Sequence, residues 1–510
     1  MLRAPCGVTD PTSAVEAELK FDAPPRFALP DLADDRAQTT VVDLPALRLR
    51  AIYFDTAELT LVRAGVTVRH RTGEVGPVWQ VKLPLPGNGA LVRREVTFPG
   101  PLADLPPPEV VELVTAYARG ADVRRAADIR TRRRRWSING ADGTELAEVV
   151  DDHVSVYEGR RVVRRFREIE VERQGIDDAT FARVGRRLVG AGATAATVTK
   201  AARALGPAAV EEADVPTPHD VGKRSRAALL VANALRTGTR RLLAADAGMR
   251  LNQPDALHQA RVSCRHLRSD LRTFRALVDS DWADPLHTEL SWFAGELGAA
   301  RDLEVLRERL EDRAKAEPAL ADSVALVDEV LASRYAAALT RATAALRDPR
   351  YLALLDRLVG AAQSPVTTPD ADAPAAKALR PLVDATWQSL ARAARRLAAA
   401  SPDDDWHRTR IKAKRARYAA ETATPVFGKE AQRLAKAAAA LQEVLGEHQD
   451  AFVAQHALLA IAAERPNDGS LGLAVGRLAE RERQAASAAR DRFRPTWRRA
   501  AEPALRRWRG

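Results

Sequence analysis

Between residues 12 and about 203, apolar and polar positions alternate with period two in a series of short runs. They are AVEAELKF (14–21), GVTVRHRT (65–72), VWQVKLP (78–84), RREVTF (93–98), TRRRRWSI (131–138), ELAEVVDDHVSV (145–156) and REIEVER (167–173), separated by Gly, Pro and Asn clusters. The pattern predicts a mostly antiparallel sheet or barrel, with helices near 108–119 and 178–191. From about 218 onward the period becomes 3.6, in long Ala-, Leu- and Arg-rich segments, which predicts helical bundles. The Pro-rich stretch GPAAVEEADVPTPHDVG (206–222) reads as a linker, and QSPVTTPDADAPAAK (363–377) divides the helical half. The expected architecture is α+β: a β-domain over 12–205, a linker over 206–220, and an all-α domain over 221–508 built from repeats at about 221–362 and 376–508.

At 510 residues the chain is too long for one core. Its net charge of +11 favours a polyanionic partner: nucleic acid, an acidic membrane or polyphosphate. Two cysteines, Cys6 and Cys264, make neither a disulfide framework nor a zinc site, which fits a reducing compartment. MLRAPCGVTD lacks the apolar core of a signal peptide, and no apolar window is long enough to span a bilayer. A cytoplasmic bacterial protein without membrane insertion is expected.

The helical half repeats itself. HQARVSCRHLR (258–268) is followed by LGAARDLEVL (297–306), and HRTRIKAKRAR (407–417) by LGEHQDAFVA (445–454). On a helix His258, Arg261, Arg265 and Arg268 share a face that Arg272 continues; His407, Arg410, Lys414 and Arg417 repeat the same offsets. Like charges at this spacing repel by a few tenths of a kcal/mol per pair, roughly. Two matching stripes therefore point to a ligand. They are expected to face each other or a common groove and to hold a chain of anions at steps of about 5 Å. Asp302 and Asp450 are expected to pair with basic groups of the same bundle. Aromatic residues for base stacking are few beside the stripes, Tyr418 apart, which argues against nucleic acid.

Charge also alternates along the strands. Glu16, Glu18 and Lys20 share one face, opposite Val15, Ala17, Leu19 and Phe21. By the same parity Arg69 and Arg71, Lys82, Arg94, Arg133 and Arg135, Glu148 and Asp152, and Glu168 and Glu170 take inward-compatible positions, and Lys200 completes the set. The run Arg132–Arg135 leaves its own face open, and Glu172 offers a third glutamate on its strand. A closed barrel lined with both signs suits a metal held by carboxylates and a phosphate chain held by Arg and Lys. Mg²⁺ and Mn²⁺ take oxygen ligands and bridge to substrate phosphates.

The ordered set Glu16-Ala-Glu18-Leu-Lys20, YFDT (53–56), Arg69 and Arg71, Lys82, Arg94-Glu95, EIEVE and Lys200 resembles the CYTH family, the triphosphate tunnel metalloenzymes. The resemblance implies an eight-stranded antiparallel tunnel that processes triphosphates with Mg²⁺ or Mn²⁺. It implies Glu16, Glu18, Glu168 and Glu170 as metal ligands. Lys20, Arg69, Arg71, Lys82, Arg94, Arg133, Arg135 and Lys200 become phosphate ligands, and Asp152, Glu148 and Lys20 the catalytic groups, with Asp152 orienting a water. The two basic repeats resemble the halves of a CHAD domain, the conserved-histidine helical domain. That implies two pseudo-symmetric four-helix bundles that bind inorganic polyphosphate, with residence at polyphosphate granules. The expected activity is metal-dependent hydrolysis of tripolyphosphate. The alternatives are a non-enzymatic polyphosphate-binding protein and adenylate cyclase-like chemistry on a nucleotide.

Overall fold

The computed structural model describes residues 12–74, 76–85 and 91–502. Cys6, the opening segment read for a leader, and residues 503–508 of the expected helical domain lie outside the described residues. The chain divides into two compact units, one ending at Asp214 and the other beginning at Val215.

Eight antiparallel strands form a ring in the first unit. They are β1 (Thr12–Asp22), β2 (Thr40–Asp55), β3 (Thr67–Thr72), β4 (Val78–Pro84), β5 (Leu91–Pro99), β6 (Arg124–Asn139), β7 (Glu145–Glu158) and β8 (Arg161–Arg173). The order is β5-β4-β3-β2-β6-β7-β8-β1, and β1 closes the ring by pairing back onto β5. Its first part, from Thr12 to Glu18, lies on β5, and its second part, from Glu18 to Asp22, lies on β8. The two-residue β9 (Thr194–Ala195) is appended to β1. Closure removes the unpaired edges of an open sheet and separates an inner from an outer face on every strand.

Beneath α4 the apolar side of the strands faces outward. Phe21, Ile138, Val149, Ile169 and Val171 pack beneath Phe181, Val184 and Leu188 of α4 (Asp178–Gly190). Short helices α1 (Thr60–Arg63), α2 (Pro108–Leu113) and α3 (Thr115–Ala118) precede it. Asp177 caps α4 by accepting from the backbone N–H groups of Ala179 and Thr180. The helix comes close because Gly185 has no side chain: a Cβ there would lie 3.1 Å from Leu19 Cδ1. Hydrophobic burial thus holds the ring from outside and leaves the inner face to charge. Thr199 caps α5 (Lys200–Leu205), whose alanines pack on Ala51, Ile129 and Val154. Those residues point the same way as the lumen residues of their strands, so α5 fills one end of the ring. YFDT has a structural part to play: the Asp55 carboxylate accepts from the N–H groups of Thr56, Leu61 and Val62 and so seats α1. The expected linker partly belongs to this unit, because Asp214 pairs with Arg63 at 2.6 Å and Arg119 at 2.5 Å.

The second unit runs α6 (Ala227–Arg250), α7 (Ala256–Thr273), α8 (Ser280–Glu296), α9 (Gly298–Ala316), α10 (Ala321–Ala345), α11 (Pro349–Gln363), α12 (Ala375–Arg396), α13 (Asp403–Phe427), α14 (Lys429–Glu464) and α15 (Gly469–Ala500). The repeat is visible, but its copies differ. At the first Leu-Gly, Leu297 and Gly298, the chain breaks between α8 and α9; at the second, Leu445 and Gly446, α14 continues unbroken. α9 and α10 share a core with α14 and α15 through Leu310, Leu331, Leu458 and Leu478. Arg309 and Arg313 reach across to Glu447 and the fully buried Glu482 at 2.6 to 3.5 Å, pairing charges that burial would otherwise penalise.

Candidate functional site

The lumen is set by register. Lys20 lies opposite Glu170 and Glu18 opposite Glu172 across β1 and β8; Asp152 lies opposite Glu168 across β7 and β8, and Arg133 opposite Asp152 across β6 and β7. Strand alternation therefore stacks unlike charges on one inner surface. A cavity of about 190 Å³ remains, lined by seven carboxylates and seven cationic side chains. Arg133 holds Asp152 with two bonds of 2.8 and 2.7 Å, and Lys200 donates to the same carboxylate at 2.5 Å. Lys200 also meets Glu168 at 2.9 Å, and Lys20 meets Glu170 at 2.6 Å. On the far wall Lys82 joins Glu16 at 2.5 Å and Glu95 at 2.9 Å, while Arg93 pairs with Glu18.

These pairs fix the protonation states. Burial opposes ionisation of Glu170, but Lys20, Lys200 and Arg133 outweigh it and hold the carboxyl well below its usual range. Burial likewise opposes Asp152, yet Lys200 and Arg133 keep it ionised. Lys82 and Arg69 overcome the burial of Glu95 and lower it to about 2. Three groups are left poorly compensated, the first being Glu168, which burial raises despite Lys200. Burial, reinforced by Glu170 and Glu16, pushes Glu172 up to about 7. Burial next to Arg69 and Arg133 lowers Arg71 even though its Nη2 meets Glu74 at 2.6 Å, and among the described residues its Nε has no hydrogen-bond partner. An under-neutralised carboxylate and an under-neutralised guanidinium in one lumen suit a cation and an anion bound together.

A divalent metal fits the acidic side. Oxygen atoms of Glu18, Glu170 and Glu172 lie within 4.8 Å of one another, and so do those of Asp152, Glu168 and Glu170. Both sets offer only oxygen donors, as Mg²⁺ and Mn²⁺ prefer. The first set fits better, because burial disfavours the charged form of Glu172, which a bound cation would relieve, whereas Asp152 already pairs with Arg133 and Lys200.

Sequence parity located most of this set and missed part of it. Glu18, Lys20, Arg69, Arg71, Lys82, Arg133, Glu148, Glu170 and Lys200 all line the cavity. Glu168 is buried beside them, and Arg135 reaches the lumen wall through Glu148 at 2.5 Å. Arg133 and Arg135 thus take the inner face of their run. Glu16 lines the cavity but belongs to neither carboxylate trio; it is occupied by Lys82. Arg94 is a correction. Register places Lys82 opposite Glu95 and Leu83 opposite Arg94, so Arg94 falls on the outer face, where it donates to Ser13 Oγ at 3.3 Å. Arg93 takes the inner position. Overlooked lining groups also include Tyr53, Gln80 and Glu95; Arg93 and Glu95 could have been found by tying parity to Lys82 instead of reading the strand alone.

In the helical unit, α13 packs against α7 and brings the two stripes together. Arg261 pairs with Asp302 at 2.7 Å and Arg410 with Asp450 at 3.4 Å; His407 bonds Gln449 at 2.7 Å. These acids offset little of the charge. Burial, then the charges of Arg410 and Arg265, push Lys414 down to about 7. The Nε atoms of Arg265, Arg268 and Arg410 are buried without a hydrogen-bond partner. His258 lies on the same stripe, lowered by burial and by Arg301 and Arg265. Arg272 stands exposed at the stripe's end, and Arg417 bonds Glu421 at 2.7 Å.

Comparison with known families agrees with this layout. The CYTH domain profile matches residues 14–203 and the CHAD domain profile residues 233–459. The chain is a CYTH–CHAD protein. The uncharacterized protein MT2285 of Mycobacterium tuberculosis is 30% identical over 520 residues, covering 95% of this chain and 96% of its own. Among solved structures, PptA from Streptomyces chartreusis is 28% identical with a TM-score of 0.45, covering 54% of this chain and 100% of that one. The CHAD domain from the plant Ricinus communis is 28% identical with a TM-score of 0.46, covering 56% and 96%. The ring places the CYTH–CHAD protein in the triphosphate tunnel metalloenzyme family. No helix among the described residues is long and apolar enough to cross a membrane.

Proposed function

We propose that the tunnel hydrolyses a terminal phosphoanhydride of a short inorganic polyphosphate, tripolyphosphate above all, with Mg²⁺ or Mn²⁺, and that the facing stripes of the helical unit bind long-chain polyphosphate. The observation that carries the reading is the pairing of Glu18, Glu170 and Glu172 with Arg71 in one lumen. A pure anion site gains nothing from carboxylates on its wall. Glu18, Glu170 and Glu172 would hold the metal, with Glu168 and Asp152 beside them. When bound, the metal would neutralise charge on the phosphoryl oxygens and polarise the scissile group. Arg69, Arg71, Lys82, Arg93 and Arg133 would bind the phosphates and stabilise charge that moves toward the leaving oxygen. Lys20 and Lys200 would hold the carboxylate wall ionised. Asp152, fixed by Arg133 and Lys200, would orient a water, with Glu148 nearby. The lumen lacks a ring-sized apolar slot, since its walls are charged or polar almost throughout, which favours an inorganic chain over a nucleotide.

The test is phosphate release from tripolyphosphate, ATP and long-chain polyphosphate with Mg²⁺ or Mn²⁺, for the wild type and a Glu18→Gln/Glu172→Gln variant. Metal-dependent release from tripolyphosphate that the variant loses is expected. No release from any substrate, with polyphosphate binding intact in the variant, would leave a binding protein instead.

A further inference from the structure

A second basic cavity lies largely on the outer face of the tunnel wall and reaches round to Asp22 and to Arg203 of α5, which pair with each other. Arg132, His153 and Arg167 sit one residue along from Arg133, Asp152 and Glu168, and so on the opposite face from the lumen. Register puts Arg48, Arg132, His153 and Arg167 directly opposite one another across β2, β6, β7 and β8. A parallel row two residues away holds Arg50, Arg130, Ser155 and Arg165. Both rows line one cavity of about 1010 Å³, far larger than the lumen.

Like charges placed directly across a sheet destabilise it. Here Arg48 faces Arg132, and Arg50 faces Arg130. Two arginines are neutralised locally: Arg50 by Asp128 at 2.6 Å and Arg167 by Asp151 at 2.8 Å. Arg48, Arg132 and Arg165 are exposed, and among the described residues none of them pairs with a carboxylate. With strands about 4.8 Å apart, each row extends about 14 Å, the reach of a short linear polyanion rather than of one phosphate. Of the aromatic side chains lining it, Tyr157 carries Arg130 over one face and Phe166 carries Arg203, each 4.3 Å from the ring centroid, which leaves less ring surface for a nucleobase to stack on.

We propose that this outer groove binds a segment of inorganic polyphosphate, at a site separate from both the lumen and the helical stripes. The proposal goes beyond the catalytic reading and does not depend on it, because its test reads occupancy and not turnover.

The experiment is arginine footprinting of the full-length chain with phenylglyoxal, with mass-spectrometric readout, in the presence of long-chain polyphosphate or of single-stranded RNA matched in phosphate concentration. At ten times the dissociation constant, polyphosphate is expected to slow modification of Arg48, Arg132 and Arg165 about tenfold, and RNA to slow it less. In an Arg132→Glu/Arg165→Glu variant, protection of Arg48 should vanish while Arg261 and Arg410 stay protected and thermal unfolding is unchanged. Unprotected Arg48, Arg132 and Arg165 alongside protected Arg261 and Arg410 would overturn the proposal. So would protection of Arg48 that survives the double variant, or stronger protection by RNA, which would make the groove a nucleic-acid site.

Discussion

Lys414 offers a direct test of the facing basic stripes. It sits on α13 with Arg410 on the same helix and Arg265 and Arg261 on α7, and the opposing charge of Asp450 on α14 is too weak to offset them. Burial and these arginines set its ammonium at about 7, well below the ordinary lysine value. A polyanion laid between the stripes reverses the local potential and restores the proton. At pH 8 about nine-tenths of the free protein then carries neutral Lys414, so binding takes up about 0.9 proton at this residue; at pH 6 it takes up about 0.1. Affinity should accordingly weaken about tenfold per pH unit above about pH 7 and level off below it. The sign for folding is the reverse of an ordinary paired lysine. Because the folded value is depressed, the unfolded chain binds more protons between about pH 7 and pH 10, and the free unit gains stability as pH rises through that window. The assay is calorimetric titration with polyphosphate at pH 8 in two buffers of different ionisation enthalpy, comparing wild type with Lys414→Met. The variant should lose the proton uptake and the steep pH dependence. Equal proton uptake in both proteins would refute the reasoning, since His258 and the ligand's own terminal phosphates would then account for all of it.

Other expectations follow from the same geometry. Glu172→Gln should weaken Mn²⁺ binding at least about tenfold, and Glu16→Gln much less, because Glu16 lies outside both carboxylate trios; isothermal titration with the metal alone decides it. Mn²⁺ binding near pH 7 should release about half a proton from Glu172, since metal favours the ionised carboxylate that burial disfavours, and the release should fade above about pH 8. Asp152→Ala should destabilise the tunnel unit by about 3–5 kcal/mol in denaturant unfolding, because it strands Arg133 and Lys200 in the interior. Gly238→Ala places a Cβ 2.4 Å from Leu267 Cδ2 and should cost about 1–3 kcal/mol in the helical unit while leaving the lumen unchanged.

Periodicity carried most of the fold. Period-two runs mark the strands of the ring, and the switch to 3.6 near residue 218 marks the helices. What alternation alone does not supply is the phase where two or more arginines are adjacent. In Arg93-Arg94 and in Arg132–Arg135 each residue is equally polar, so only the partner strand decides which one turns inward. Lys82 decides for Arg93 through Glu95, and Asp152 decides for Arg133. Glu172 illustrates a different gap. Its parity with Glu168 and Glu170 was plain, but its place in a trio with Glu18 comes from the β1–β8 register, which no local pattern contains. In the helical unit the matching offsets pointed to facing stripes before any packing was known. The break at Leu297 and Gly298 against the continuous α14 was not legible, because the same dipeptide stands at both places.

The divided pairing of β1 has a consequence for the order in which the protein assembles. The first strand to leave the ribosome is also the last piece of the ring to be satisfied. Its leading part can find β5 within the first hundred residues, but its trailing part waits for β8, some 150 residues later in the chain. Until then Lys20 has no opposite strand, and the apolar back of β1 has no α4 to cover it. Such long-range closure makes for slow folding and a prolonged exposure of sticky edges during synthesis.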